Sequence, residues 1–203
     1  MTTRMFGFAM LAAAAAAAPA SAQRSVPAIE LTPSVGYMMF GAHVDGPLGT
    51  DLRNANAPFY AVQVTLNPSD WLGLYASGGY ARSDLEIGLP VLGGVGLASS
   101  DVTTYDAGVE LRAPLASGAR AFVQAGVGAM RYEIDAGFLQ PTATNTSLNI
   151  GAGLEYGLGR NFGVRLAAKD HIGAFDIEEA SFVPVDGKSA HHIAVSVGLR
   201  VGF

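Results

Sequence analysis

From Gln23 onward, apolar residues recur at every second position in segments of about ten residues, the period of a strand with two unlike faces. The last segment is the plainest: Ile193, Val195, Val197, Leu199, Val201 and Phe203 alternate with Ala194, Ser196, Gly198, Arg200 and Gly202. The same alternation runs through Phe162–Lys169, Leu148–Gly157, Phe122–Met130, Tyr105–Arg112, Leu72–Tyr80, Tyr60–Leu66 and Ile29–Met39. These segments predict eight antiparallel strands in an up-and-down meander, an even number that can close into a barrel. The connections alternate too. Asn67-Pro68-Ser69-Asp70, Pro114 to Gly118 and Leu158-Gly159-Arg160 are turn-forming and short. Those around Gly41 to Ala57, Leu85 to Ser100, Asp135 to Thr144 and Gly173 to Ala190 are long. Short turns at one rim and long loops at the other is the organisation of a transmembrane barrel, which predicts both termini in the periplasm and four long loops outside the cell.

Composition decides which face meets what. Half of the 203 residues are hydrophobic, yet after the N-terminal segment no apolar run reaches the length of a membrane helix, so the apolar content is spread through the strands. The face opposite the apolar one is rich in glycine, of which there are 26, and carries Glu30, Asp106, Glu110 and Glu155 together with Arg112, Arg120, Arg165, Lys169 and Arg200. An eight-stranded barrel has an interior just wide enough for side chains to fill, so glycines beside charges of both signs suit its lumen. Near-balance of sign predicts pairing there, because buried ions need partners. The net charge of −5 is modest and implies no nucleic-acid partner. Aromatic residues of the apolar face divide into two girdles. Tyr60, Tyr80 and Tyr105 fall near the long-loop rim, and Tyr156, Phe162 and Phe203 near the short-turn rim. Arg82 and Arg131 have the parity of the apolar face near the long-loop rim, where lipopolysaccharide phosphates would be met.

The N-terminus carries an export signal. Arg4 supplies a positive start, Met5 to Ala18 a short apolar stretch, and Ala20-Ser21-Ala22 a small-residue cleavage pattern. Residues 1–22 are therefore expected to be a signal peptide for the Sec pathway, and 23–203 the mature domain. Cysteine is absent, which excludes disulfides and thiol chemistry.

With the terminal strand in view, the chain resembles the small bacterial outer-membrane β-barrel family that includes OmpA, OmpX and OmpW-like proteins. The resemblance implies a location in the outer membrane, contact with its lipid and lipopolysaccharide, and a monomer. Val197, Leu199, Val201 and Phe203 are similar to the C-terminal signal read by the barrel-assembly machinery, which implies that partner during folding. The peptidoglycan-binding domain of full-length OmpA-like proteins has no counterpart after Phe203.

Residues that could carry chemistry are few. His43, His171, His191 and His192 lie in or beside the long loops, and His191 and His192, being adjacent, should face opposite ways and not share a metal. Some eight-stranded barrels modify lipid A with a rim serine and histidine, for which Ser181, Ser189, His171 and His191 supply the types but no fixed geometry. Gly126-Val127-Gly128 and Gly151-Ala152-Gly153 sit inside strands and so are not phosphate loops. Asn145-Thr146-Ser147 matches a glycosylation sequon and reads as a strand start. The expectation is a non-enzymatic barrel without a cofactor, structural or surface-interacting. A narrow OmpW-like channel for small or hydrophobic solutes is the alternative, ahead of a lipid A-modifying enzyme or a soluble periplasmic barrel.

Overall fold

The computed structural model describes residues 26–45, 51–89, 93–115, 118–135, 142–174 and 189–203. The signal segment, Ser181 and the centres of the long loops lie outside these. Ten strands are present: β1 (Ile29–Phe40), β2 (Ala42–Asp45), β3 (Asp51–Asn54), β4 (Ala57–Leu66), β5 (Leu72–Leu89), β6 (Gly93–Pro114), β7 (Ala119–Asp135), β8 (Thr142–Gly157), β9 (Phe162–Ala174) and β10 (Ser189–Gly202).

Eight of them close a ring. Antiparallel pairing runs β1-β10-β9-β8-β7-β6-β5-β4 and returns from β4 to β1, so no edge is left along the barrel wall. The seam joins the two ends of the chain, with Val35 opposite Val197 and Glu30 opposite Gly202. The remaining strands, β2 and β3, form a hairpin that continues β1 and β4 past the breaks at Gly41 and Ala55-Asn56, with β3 pairing the far end of β5.

The departure from expectation is at the long loops. Leu85 to Ser100 is mostly strand, because β5 and β6 go on pairing to Leu89 and Gly93 through a bulge at Leu85/Glu86. Gly41 to Ala57 is likewise mostly the β2–β3 hairpin. A ladder need not stop where the two-faced pattern does, since backbone hydrogen bonds between paired strands are indifferent to which side chains face out. At the other rim the turns are as short as their residues suggest. The β6–β7 turn ends on Gly118 at φ +80°, a conformation glycine adopts without steric cost.

The faces are reversed relative to a soluble protein. Val35, Tyr60, Val62, Val109, Val127, Leu148, Ile150, Leu154, Leu166 and Val197 are exposed, while Glu30, Glu110, Glu155, Arg165, Arg200 and Gln124 are buried. On β8 the exposed apolar face runs from Leu148 to Tyr156. At ~3.4 Å per residue that is roughly 27 Å along the strand, and at a tilt of about 40° it gives a belt roughly 21 Å tall. That is close to the ~25 Å apolar band of a membrane barrel.

Candidate functional site

The lumen is filled in three layers. Nearest the short turns, six side chains alternate in sign around a closed circuit. Glu30 of β1 meets Arg112 of β6 at 2.9 Å, Arg112 meets Glu110 at 2.5 Å, and Glu110 is held by Arg165 of β9. Arg165 lies 3.7 Å from Glu155 of β8, Glu155 2.8 Å from Arg200 of β10, and Arg200 3.0 Å from Glu30 again. The last Arg200–Glu155 contact is a charge contact without hydrogen-bond alignment, since it is Arg200 Nε that faces the carboxylate. Arg120 of β7 joins from the rim, bonded to Glu155 and 3.6 Å from Glu30.

Neutral residues complete the layer. Asn67 Oδ1 accepts from Arg112 at 2.7 Å, and Gln124 Nε2 donates to Glu110 Oε2 at 2.8 Å while bonding Gln63. Arg165 lies over the Phe122 ring at 3.6 Å, a cation–π contact. That ring is accommodated because Gly153 has no side chain. A Cβ there would fall 2.4 Å from Phe122 Cζ and 2.1 Å from the Leu166 carbonyl oxygen. Asn67, Gln63, Gln124 and Phe122 were not singled out from sequence. The inward parity of Gln63, Gln124 and Phe122 was the available signal, whereas Asn67 sits in a turn and had none.

The middle layer holds a second, separate ion pair. Lys169 Nζ is 2.7 Å from Asp106 Oδ1, Ser77 Oγ donates to Asp106 Oδ2 at 2.6 Å, and Lys169 lies over the Tyr75 ring. Beside it is a cavity of about 50 Å³, lined by Thr32, Ser34, Gln63, Thr104, Ser196 and His171 among others. The outermost layer is apolar: Met38, Phe40, Ala57, Phe59, Ala81, Val102, Met130, Tyr132 and Ala194 form one buried cluster. It crosses the lumen, because β1 and β7 are on opposite walls of the ring.

A family model described as the outer membrane protein beta-barrel domain matches residues 6–200. The chain belongs to that family. Among solved structures, this outer-membrane barrel is similar to Neisserial surface protein A, at 14% identity over 87% of this chain and 97% of that one, with a TM-score of 0.62. It is similar to the outer membrane protein OprG from Pseudomonas aeruginosa at 12% identity, covering 89% and 100%, with a TM-score of 0.57. A third is Ail, the attachment invasion locus protein of Yersinia pestis, solved with the heparin analogue sucrose octasulfate, at 18% identity, covering 85% and 98%, with a TM-score of 0.50. No curated protein sequence matches the chain. Family and fold together make this a β-barrel of the bacterial outer membrane, whose exposed apolar belt is its lipid face.

The other residues read from sequence can now be placed on the outer-membrane barrel. Tyr60, Tyr80 and Tyr105 are exposed on β4, β5 and β6, with Tyr60 directly opposite Tyr80, and Tyr37 of β1 extends the arc. Tyr156, Phe162 and Phe203 are exposed toward the short-turn rim, where Trp71, Leu115 and Leu158 join them. Val197 and Leu199 are exposed on β10, Val201 is half-buried and Phe203 is exposed.

The histidines part company with their description as rim residues. His171 and His192 face each other across β9 and β10 and are buried inside the lumen. Tyr132 Oη is 3.3 Å from His192 Nε2, and neither ring nitrogen of His171 has a hydrogen-bond partner. His191 points the other way, exposed and paired with Asp170 at 2.7 Å. Loop-like composition near a rim does not keep a side chain in water when its strand parity turns it inward. His43 and Ser189 lie at the ends of β2 and β10, in segments whose side chains are not described. Among the described residues no group of three or more potential metal ligands is present.

Proposed function

We propose that this barrel is a sealed-lumen structural and surface-interaction protein, anchored by its belt and presenting the long-loop rim outside the cell. The observation that carries the reading is closure at two levels. A circuit of alternating charges fills the lumen at the short-turn end, an apolar cluster crosses it at the other, and a cavity of about 50 Å³ lies between. A conducting pore needs a continuous wet path, and an apolar constriction this tight excludes water by dewetting. The names of Neisserial surface protein A and of the attachment invasion locus protein agree with a role at the cell surface. The monomer, the assembly partner, Sec export and the absence of enzymatic activity belong to the same proposal.

Planar-bilayer recording tests it. The native protein is expected to be silent, and Arg165→Ala/Arg200→Ala to remain silent, because the apolar layer still blocks the path. Adding Met38→Ser and Phe59→Ser to that pair should produce discrete current steps. Steps in the native protein would overturn the sealed-lumen reading in favour of a narrow channel.

A further inference from the structure

Beyond the lumen, the outward face of β5, β6 and β7 carries a compact charged patch directly above the apolar belt. Arg82 stands opposite Asp101, and Asp101 opposite Glu133, in one continuous row across the three strands. One step down each strand toward the belt, the next outward row holds Tyr80 opposite Thr103 and Thr103 opposite Arg131. All point away from the lumen: the side chains of Arg82 and Arg131 are 74% and 48% exposed. Arg131 pairs with Glu133 at 2.7 Å and Arg82 sits 3.8 Å from Asp101, whose carboxylate also accepts from Tyr80 Oη at 2.9 Å.

Charges on the lipid face of a barrel are tolerated only near the interfaces, so this patch lies at headgroup depth. Two features make it more than a polar rim. Asp101 and Glu133 are directly opposed like charges, an unfavourable pairing that a cation relieves. The two guanidiniums flanking them keep donors free for an oxyanion, which they bind in the bidentate geometry that suits phosphate. The tyrosine arc of Tyr37, Tyr60, Tyr80 and Tyr105 ends at the same strands, so one half of the rim combines an aromatic interface with paired cation and anion sites.

We infer that this patch is a docking surface for a phosphorylated glycolipid of the outer leaflet, lipopolysaccharide, with Arg82 and Arg131 on a phosphate and Asp101 and Glu133 on a divalent cation bridging to it. The inference rests on the proposed orientation, long-loop rim outward, and not on the sealed lumen.

The test uses the full protein purified from membranes, delipidated and placed in phosphatidylcholine vesicles with or without lipopolysaccharide. The readout is the temperature at which half the barrel loses its compact migration on an unheated gel. Native lipopolysaccharide should raise that midpoint by several degrees, and lipopolysaccharide stripped of phosphate should not, a comparison that needs no variant. Arg82→Gln/Arg131→Gln should lose most of the increment. Asp101→Asn/Glu133→Gln should lose the part that a magnesium chelator removes from the native protein. An equal increment from dephosphorylated lipid, or an undiminished one in the arginine pair, would overturn the site. Orientation is read separately in the cysteine-free chain: Thr142→Cys should react with a membrane-impermeant maleimide on intact cells. Labelling there without a phosphate effect refutes the docking surface alone, whereas a protected Thr142→Cys refutes the orientation on which it stands.

Discussion

At the residue scale, each buried charge is held by more than one partner, and this sets what a substitution costs. Glu110 accepts from Arg112, Arg165 and Gln124, and all four are buried. Glu110→Gln would leave two guanidiniums short of countercharge in a sealed lumen, where breaking such a group costs about 3–5 kcal/mol. A clear drop in the urea midpoint of refolded protein is expected, and a midpoint like the native one would show that water reaches these groups. Glycines separate equally sharply. Gly153→Ala puts a methyl against both Phe122 and the Leu166 carbonyl, whereas a Cβ on Gly159 meets nothing within 4 Å. Folding yield should fall for the first and hold for the second. Pairing of the lumen charges was legible in their parity and balance of sign. Their sorting into one closed circuit and one separate Lys169–Asp106 pair was not, because alternation fixes which face a residue occupies and says nothing of its height within the barrel.

At the scale of elements, the strands of the belt were legible because lipid on one side and a crowded lumen on the other impose period two on every stave. The β2–β3 hairpin and the outer halves of β5 and β6 lie past that constraint, and there glycine-rich, mixed sequence such as Gly93–Ser100 still pairs through its backbone. Since these extensions are not needed to close the ring, replacing residues 87–95 with a two-residue turn should leave a barrel that still migrates as a compact species before heating; loss of that species would make the extension part of the folding unit. The last strand offers a different separation. Phe203 keeps its backbone bond to Ile29, but its ring is largely exposed. Phe203→Ala should therefore refold and melt in vitro much as the native protein does, while the amount reaching the outer membrane in cells falls several-fold. Equal losses in both settings would assign Phe203 to stability and not to recognition by the assembly machinery.

For the molecule as a whole, what the sequence conveyed least well is asymmetry. The exposed tyrosines gather on β1, β4, β5 and β6, and the charged patch on β5, β6 and β7, so one half of the outer rim differs from the other although every stave repeats the same pattern. Only the order of strands around the ring brings these residues together. That order also gives the charge circuit an unexpected property. Glu30 lies near the first residue of the barrel and Arg200 near the last, and the two meet only once β1 has found β10. A seam slipped by two residues would preserve every inside–outside assignment and satisfy the ladder, but it would carry Arg200 roughly 7 Å past Glu30 and leave the circuit open. Wall chemistry alone cannot tell the right closure from its near neighbours. The ring of ions works as a checksum on the final join, computed from both ends of the chain.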